Sequence, residues 1–142
     1  MNWQIRRSRS EDLNELRRIY LEVRTVAFSW MNSSAFTTKD FDAATQDEPV
    51  LVASLNNKPI GFISWWPPDT FIHNLYLDPR FVGLGIGKAL LNECLSKIGR
   101  PATLKCLQQN VNALRFYQSQ GWSIQAEGVS DEGPYYLMIY NQ

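Results

Sequence analysis

Three alternating glycines, Gly83, Gly85 and Gly87, stand where a strand-like run gives way to a helical one, and that junction suits phosphate. Residues 70–77 (TFIHNLYL) are rich in aromatic and β-branched types and end at Asp78-Pro79, which reads as a strand and its stop. Beyond the glycines, Ile86, Leu90, Leu91, Cys94, Leu95 and Ile98 recur at helical spacing until Gly99-Arg100-Pro101. The free N–H groups of the first helical turn, backed by the positive end of the helix dipole, attract an anion. Glycine also lets a ligand approach the backbone closely. A tight turn before a helix is the plainer reading of the same residues. Lys88 could add a charge for the phosphate or be an ordinary solvated lysine. His73 is the only histidine, and period-two alternation places it with Phe71, Leu75 and Leu77 on one strand face. It is either a general base on the strand that precedes the glycine loop or a hydrogen-bonded core histidine.

Spacing separates the phosphate motifs. A P-loop needs a glycine where Val82 stands and a Ser or Thr where Ala89 stands, so a magnesium-binding hydroxyl is missing and nucleoside triphosphate hydrolysis is not expected. A Rossmann loop needs a wider last glycine interval and an acid at the end of the next strand. Residues 102–109 carry no acid.

At this point the chain resembles the GCN5-related N-acetyltransferase (GNAT) superfamily. Its acetyl-CoA loop reads Arg or Gln, two residues, Gly, one residue, then Gly or Ala; Val82, Gly83, Leu84, Gly85, Ile86 and Gly87 match it with Val82 in place of the Arg or Gln. Leu84 sits where a basic residue is common in the family, so the backbone donors remain without side-chain help for the pyrophosphate. A second segment, 110–122 (NVNALRFYQSQGW), is similar to the family pattern Asn-x-x-Ala-x-x-Phe-Tyr-x-x-x-Gly-Phe. The resemblance implies acetyl-CoA as co-substrate and an amine as acceptor, with no metal. It implies that Leu75, Tyr76 and Leu77 offer backbone groups to the pantetheine arm, that the loop from Val82 to Lys88 takes the pyrophosphate, and that Asn110, Ala113 and Tyr117 border the coenzyme. In many members the matching tyrosine protonates the departing sulfur, which assigns that role to Tyr117; the plainer reading is a ring packed beside Phe116. Asn110 either meets the pantetheine arm or caps the following helix, and one residue can do both. Some arylalkylamine-type members carry a catalytic histidine where His73 stands.

The elements that must hold these groups follow from periodicity. A short strand at 3–7 leads into a capping box at Ser8 and Glu11, then a helix bearing Leu13, Leu16, Ile19, Tyr20, Val23 and Ala27. Residues 28–41 are less regular, with a second helix start at Thr37 to Asp40. Runs 50–55 and 59–66 flank Asn56-Asn57-Lys58 as a hairpin, and 70–77 completes an antiparallel meander. A strand at 102–107, a helix at 111–120 and strands at 122–127 and 135–140 close the chain. The expected fold class is α/β: one domain, 1–142, of the GNAT type, with a mixed, mostly antiparallel sheet flanked by helices. The resemblance adds that the strands on either side of the glycine helix splay apart, leaving a gap for pantetheine.

Composition limits the partners. With 14 basic and 14 acidic residues the formal charge is zero and no basic tract marks a nucleic-acid face, which also counts against a tRNA-directed acetyltransferase. No run approaches the roughly 20 apolar residues of a membrane span, and no signal-peptide core opens the chain. Cys94 and Cys106 are too few for a disulfide framework and suit a reduced, cytoplasmic setting. A homodimer through the last strands stays open. Phe28, Trp30, Phe36, Trp65, Trp66, Tyr135 and Tyr136 fall in segments that wall the acceptor pocket in related proteins, although core packing accounts for most aromatics. Glu48, Glu127, Asp131 and Glu132 could be gathered there by folding. Two functions compete: transfer of acetyl from acetyl-CoA to a primary amine of a small molecule or peptide in a ternary complex, or non-catalytic acyl-CoA binding on the same fold.

Overall fold

Short runs rich in apolar residues build one seven-stranded sheet among the described residues. The computed structural model describes residues 2–27 and 36–142. In chain order the elements are β1 (Trp3–Arg7), α1 (Leu13–Ala27), α2 (Asp40–Ala44), β2 (Val50–Leu55), β3 (Lys58–Trp66), β4 (Phe71–Leu77), α3 (Ile86–Leu95), β5 (Ala102–Leu107), α4 (Val111–Ser119), β6 (Ser123–Ser130) and β7 (Gly133–Tyr140). The strand order is β1-β2-β3-β4-β5-β7-β6, and every neighbouring pair is antiparallel except β4 and β5. This is the mixed, mostly antiparallel α/β architecture expected from the element order.

The sheet separates two cores. Successive strand residues point to opposite faces, so Val52 and Phe62 meet Leu16, Ile19 and Tyr20 of α1 and Phe41 of α2. Their neighbours Leu51, Ala53 and Ile63 meet Ile86, Leu90, Leu91 and Cys94 of α3 on the other side. Each fully buried Leu, Ile or Phe contributes about 1.5–3 kcal/mol. The first core is aromatic: Tyr20 and Tyr76 rings lie 4.9 Å apart edge to face, and Phe41 and Phe62 5.1 Å apart.

The start of α1 departs from the expected capping box. A 3-10 turn, Ser10–Asp12, precedes the helix, and Asp12, not Glu11, reaches back to accept the Arg9 N–H at 2.8 Å. Arg6 on β1 explains the choice, because it donates two bonds to the Asp12 carboxylate, at 2.7 and 2.9 Å. A carboxylate already tied to the sheet makes the better cap.

Two irregularities in β4 open the sheet. Its ladder with β5 consists of Phe71↔Thr103 and Ile72↔Leu104, after which β5 continues beside β7. Opposite β3, consecutive Ser64 and Trp65 face Asn74 and Ile72, which leaves His73 as the extra residue of a bulge. Strict alternation therefore fails here. Ile72 enters the same core as Leu75 and Leu77, and His73 is not on a continuous face with them.

Candidate functional site

The glycine loop is held at its entrance by Asp78, which is 1% exposed. Its carboxylate accepts from Arg80 N–H at 3.0 Å, Arg80 Nη2 at 2.7 Å and Arg18 Nη2 at 2.8 Å, while its own N–H donates to the Ile60 carbonyl at 2.8 Å. Hydrogen bonds from Arg80 and then Arg18, against the cost of burial, hold this carboxyl well below the usual carboxylate range. Gly83 and Gly85 adopt left-handed φ values of +80° and +81°, and a Cβ on either would meet nothing within 4 Å. The glycines thus supply conformation and open space above the backbone. The first bond within α3 runs from Ala89 N–H to the Gly85 carbonyl at 3.1 Å. The N–H groups of Ile86, Gly87 and Lys88 precede it and have no acceptor within the helix. Ile86 and Gly87 are buried and Lys88 is exposed. The Gly87 Cα faces Leu77 and Phe116, which seats the helix start on the end of β4 and on α4. Val82 and Leu84 are exposed, so the loop presents backbone donors between apolar side chains.

Where β4 and β5 part, a cleft of about 340 Å³ is lined by His73, Leu75 and Tyr76 on one side and by Cys106, Asn110, Ala113 and Tyr117 on the other. His73 Nδ1 lies 2.9 Å from Glu48 Oε2; the histidine side chain is 44% exposed and the glutamate 6%. Glu48 Oε1 accepts the Ser64 hydroxyl at 2.9 Å, and Ser64 Oγ accepts from Asn74 Nδ2 at 2.8 Å. Across the cleft, Tyr117 packs edge to face on Phe116 and Trp122, with ring centroids at 5.3 and 6.0 Å. Burial, with Cys106 and Tyr76 nearby, pushes its phenol above the ordinary tyrosine range, so it keeps its proton at neutral pH. Asn110 caps α4, its Oδ1 accepting from Ala113 N–H at 3.3 Å, and borders the cleft as well.

The far wall joins α1 to the turn between β6 and β7. Arg24 pairs with Glu132 and donates to the Tyr76 hydroxyl at 3.3 Å, its guanidinium lying 5.1 Å above the Tyr20 ring. Burial raises the Tyr20 and Tyr76 phenols above their ordinary values. Lys105 reaches over the Tyr135 ring at 4.9 Å.

Of the residues singled out in the sequence, His73, Leu75, Tyr76, Asn110, Ala113 and Tyr117 meet in this cleft. Leu77 and the loop from Val82 to Lys88 lie outside its lining, where α3 begins. Among the aromatics, Tyr135 reaches the cleft. Trp65 and Tyr136 belong instead to the α3-side core, because Ile63-side packing claims the first and the β5 pairing turns the second inward beside Cys106. Trp66 is exposed and Phe36 lies 5.2 Å from the Arg24 guanidinium. Phe28 and Trp30 fall outside the described residues. Of the four acids, Glu48 stands behind His73 and Glu132 lines the cleft, whereas Glu127 accepts from Gln108 Nε2 at 2.9 Å and Asp131 is exposed. Arg24 and Lys105 gave no sequence signal; each is an ordinary helix or strand residue until the fold gathers it.

A strand that parts from its neighbour, a glycine loop opening a helix and a tyrosine across the gap are the features that the resemblance to the GNAT fold leads one to expect. Residues 11–122 match the Acetyltransferase (GNAT) family. The chain belongs to that family. It is similar to an uncharacterized N-acetyltransferase of Archaeoglobus fulgidus, 27% identical in an alignment that covers 82% of this chain and 90% of the relative. The solution structure of apo YjaB from Escherichia coli superposes with a TM-score of 0.83 at 25% identity, covering 99% of this chain and 98% of that one. A putative acetyltransferase, yncA from Salmonella typhimurium, solved with acetyl-CoA, gives a TM-score of 0.76 at 20% identity over 98% of this chain and 93% of its own. No helix among the described residues is long and apolar enough to cross a membrane.

Proposed function

We propose that the protein transfers the acetyl group of acetyl-CoA to a primary amine of a small molecule or peptide by direct attack in a ternary complex. The observation that carries this reading is the cleft at the parting of β4 and β5, with a histidine on one wall and a proton-retaining tyrosine on the other. In this reading the unpaired edge of Leu75, Tyr76 and Leu77 binds the pantetheine amides, and the N–H groups of Gly83 to Lys88 take the pyrophosphate. Asn110 and Ala113 border the arm. The solved complex of yncA with acetyl-CoA, a neighbour in fold, supports that donor.

The acceptor nitrogen forms a bond to the thioester carbonyl carbon while His73 Nε2 takes the proton the nitrogen must lose. As the carbon–sulfur bond breaks, the Tyr117 hydroxyl gives its proton to the thiolate. His73 and Tyr117 then re-equilibrate through solvent, one losing and one regaining a proton, so the products are an amide and free CoA.

Exposed Val82, in place of the family's Arg or Gln, and exposed Leu84, where a basic residue is common, favour the second reading of binding without turnover. Calorimetric titration with acetyl-CoA, followed by thiol detection of CoA release across a panel of amines, decides between them. Expected are saturable binding, its loss in Gly83→Glu, and CoA release with at least one amine. Binding with no release across the panel would leave the non-catalytic reading, and no binding at all would end both.

A further inference from the structure

The histidine of the cleft is held from behind by a chain of hydrogen bonds whose direction is fixed at its far end. Asn74 Nδ2 donates to the Ala44 carbonyl at 3.1 Å and to Ser64 Oγ at 2.8 Å. A carbonyl only accepts and an amide nitrogen only donates, so Ser64 is left to direct its own proton at Glu48 Oε1, 2.9 Å away. Ser64 is 0% exposed and Asn74 5%, and the Glu48 side chain 6%, so water has little part in the arrangement. The ionised carboxylate only accepts, and its other oxygen lies 2.9 Å from His73 Nδ1. The neutral ring must then carry its proton on Nδ1 and its lone pair on Nε2. His73 is also the bulge residue of β4, with no partner opposite on β3 to fix its side chain.

We propose that Glu48 is the positioning residue of this site, fixing the tautomer and orientation of His73 so that Nε2 presents a lone pair to the acceptor amine. This rests on the reading of His73 as the base. In Glu48→Gln the amide oxygen accepts from Ser64, and the amide nitrogen faces Nδ1 and donates to it. The ring then keeps its proton on Nε2, where it cannot accept another. Shape and volume are almost unchanged.

Because the 142-residue chain has one histidine, a single imidazole is observed in that chain after isotope labelling, and its nitrogen chemical shifts report the tautomer. At a pH where the ring is neutral, the wild type is expected as Nδ1–H and Glu48→Gln as Nε2–H. Ser64→Ala, which keeps the carboxylate, is expected to remain Nδ1–H. With an amine that supports CoA release, Glu48→Gln is expected to lower kcat about 100-fold while the KM for acetyl-CoA moves less than about twofold. A wild type found as Nε2–H, an unshifted Glu48→Gln, or a flip in Ser64→Ala would each overturn the proposal, and the wild-type and Ser64→Ala spectra decide it even where Glu48→Gln fails to fold. A flipped tautomer with undiminished turnover would instead overturn His73 as the base and leave the hold of Glu48 on the ring standing.

Discussion

Tyr117 combines two roles that a single oxygen atom separates. Its ring packs on Phe116 and Trp122, and its hydroxyl, kept protonated by burial in a residue that lines the cleft, is the proposed acid. Tyr117→Phe keeps the ring and removes the proton. We expect kcat to fall about 10²- to 10³-fold, with acetyl-CoA affinity and thermal midpoint nearly unchanged. Steady-state kinetics beside calorimetry checks this, and equal losses of affinity and rate would make Tyr117 a packing residue only. Tyr117 was legible in the sequence because it sits inside a contiguous motif. The sequence also offered Glu48 as one of four acids that folding could gather, but not its pairing with His73, which spans 25 residues and depends on how β2 enters the sheet. The pairing of Arg24 with Glu132, 108 residues apart, is further still from any local pattern.

At the scale of elements, the position of the glycine loop depends on how closely β3 and β4 lie under it. Gly61 on β3 faces Leu77, and a Cβ there would stand 2.6 Å from Leu77 Cδ2 and 3.0 Å from the Tyr76 carbonyl oxygen. The leucine tip can move, but the carbonyl belongs to the backbone that the donor is proposed to meet. Gly61→Val is therefore expected to cost about 1–3 kcal/mol by overpacking and to weaken acetyl-CoA binding, since Leu77 also supports Gly87. Urea unfolding and calorimetry measure the two effects, and a variant destabilised with unchanged affinity would uncouple the strand from the loop. Helix and strand positions were largely readable, because apolar periods of 3.6 and 2 are local properties. The bulge at His73 was not, since one unpaired residue leaves composition untouched and appears only when β3 sets the register. The cap at Asp12 escaped for a similar reason: Glu11 and Asp12 both suit the motif, and only Arg6 on β1 selects between them.

For the whole molecule, titratable groups set stability from both sides of neutrality. Asp78 and Asp12, 1% and 3% exposed, have carboxyls lowered by their arginine partners, Arg80 with Arg18 and Arg6 respectively. A lowered folded-state value means that the stabilisation is present above the ordinary carboxylate value of about 4 and is lost as pH falls below it. Cys94 and Cys106 act in the opposite direction. Burial pushes their thiols up to about 12 and about 11, so their contribution is complete below the ordinary thiol value and is lost as pH rises through those values. The Tyr20, Tyr76 and Tyr117 phenols, all raised by desolvation, extend the same alkaline limb. The urea midpoint followed by tryptophan fluorescence should form a plateau from about pH 5 to 8 and fall on either side. Asp78→Asn removes the charge that Arg18 and Arg80 share; those arginines are 36% and 63% exposed and stay solvated, so it should lose about 1–3 kcal/mol at neutral pH and flatten the acid limb, because the group that bound the proton is gone. The alkaline limb should keep its shape, since the thiols and phenols remain. An acid limb as steep in Asp78→Asn as in the wild type would mean that the entrance to the glycine loop is held by its hydrogen-bond geometry alone and that charge at Asp78 contributes nothing to it.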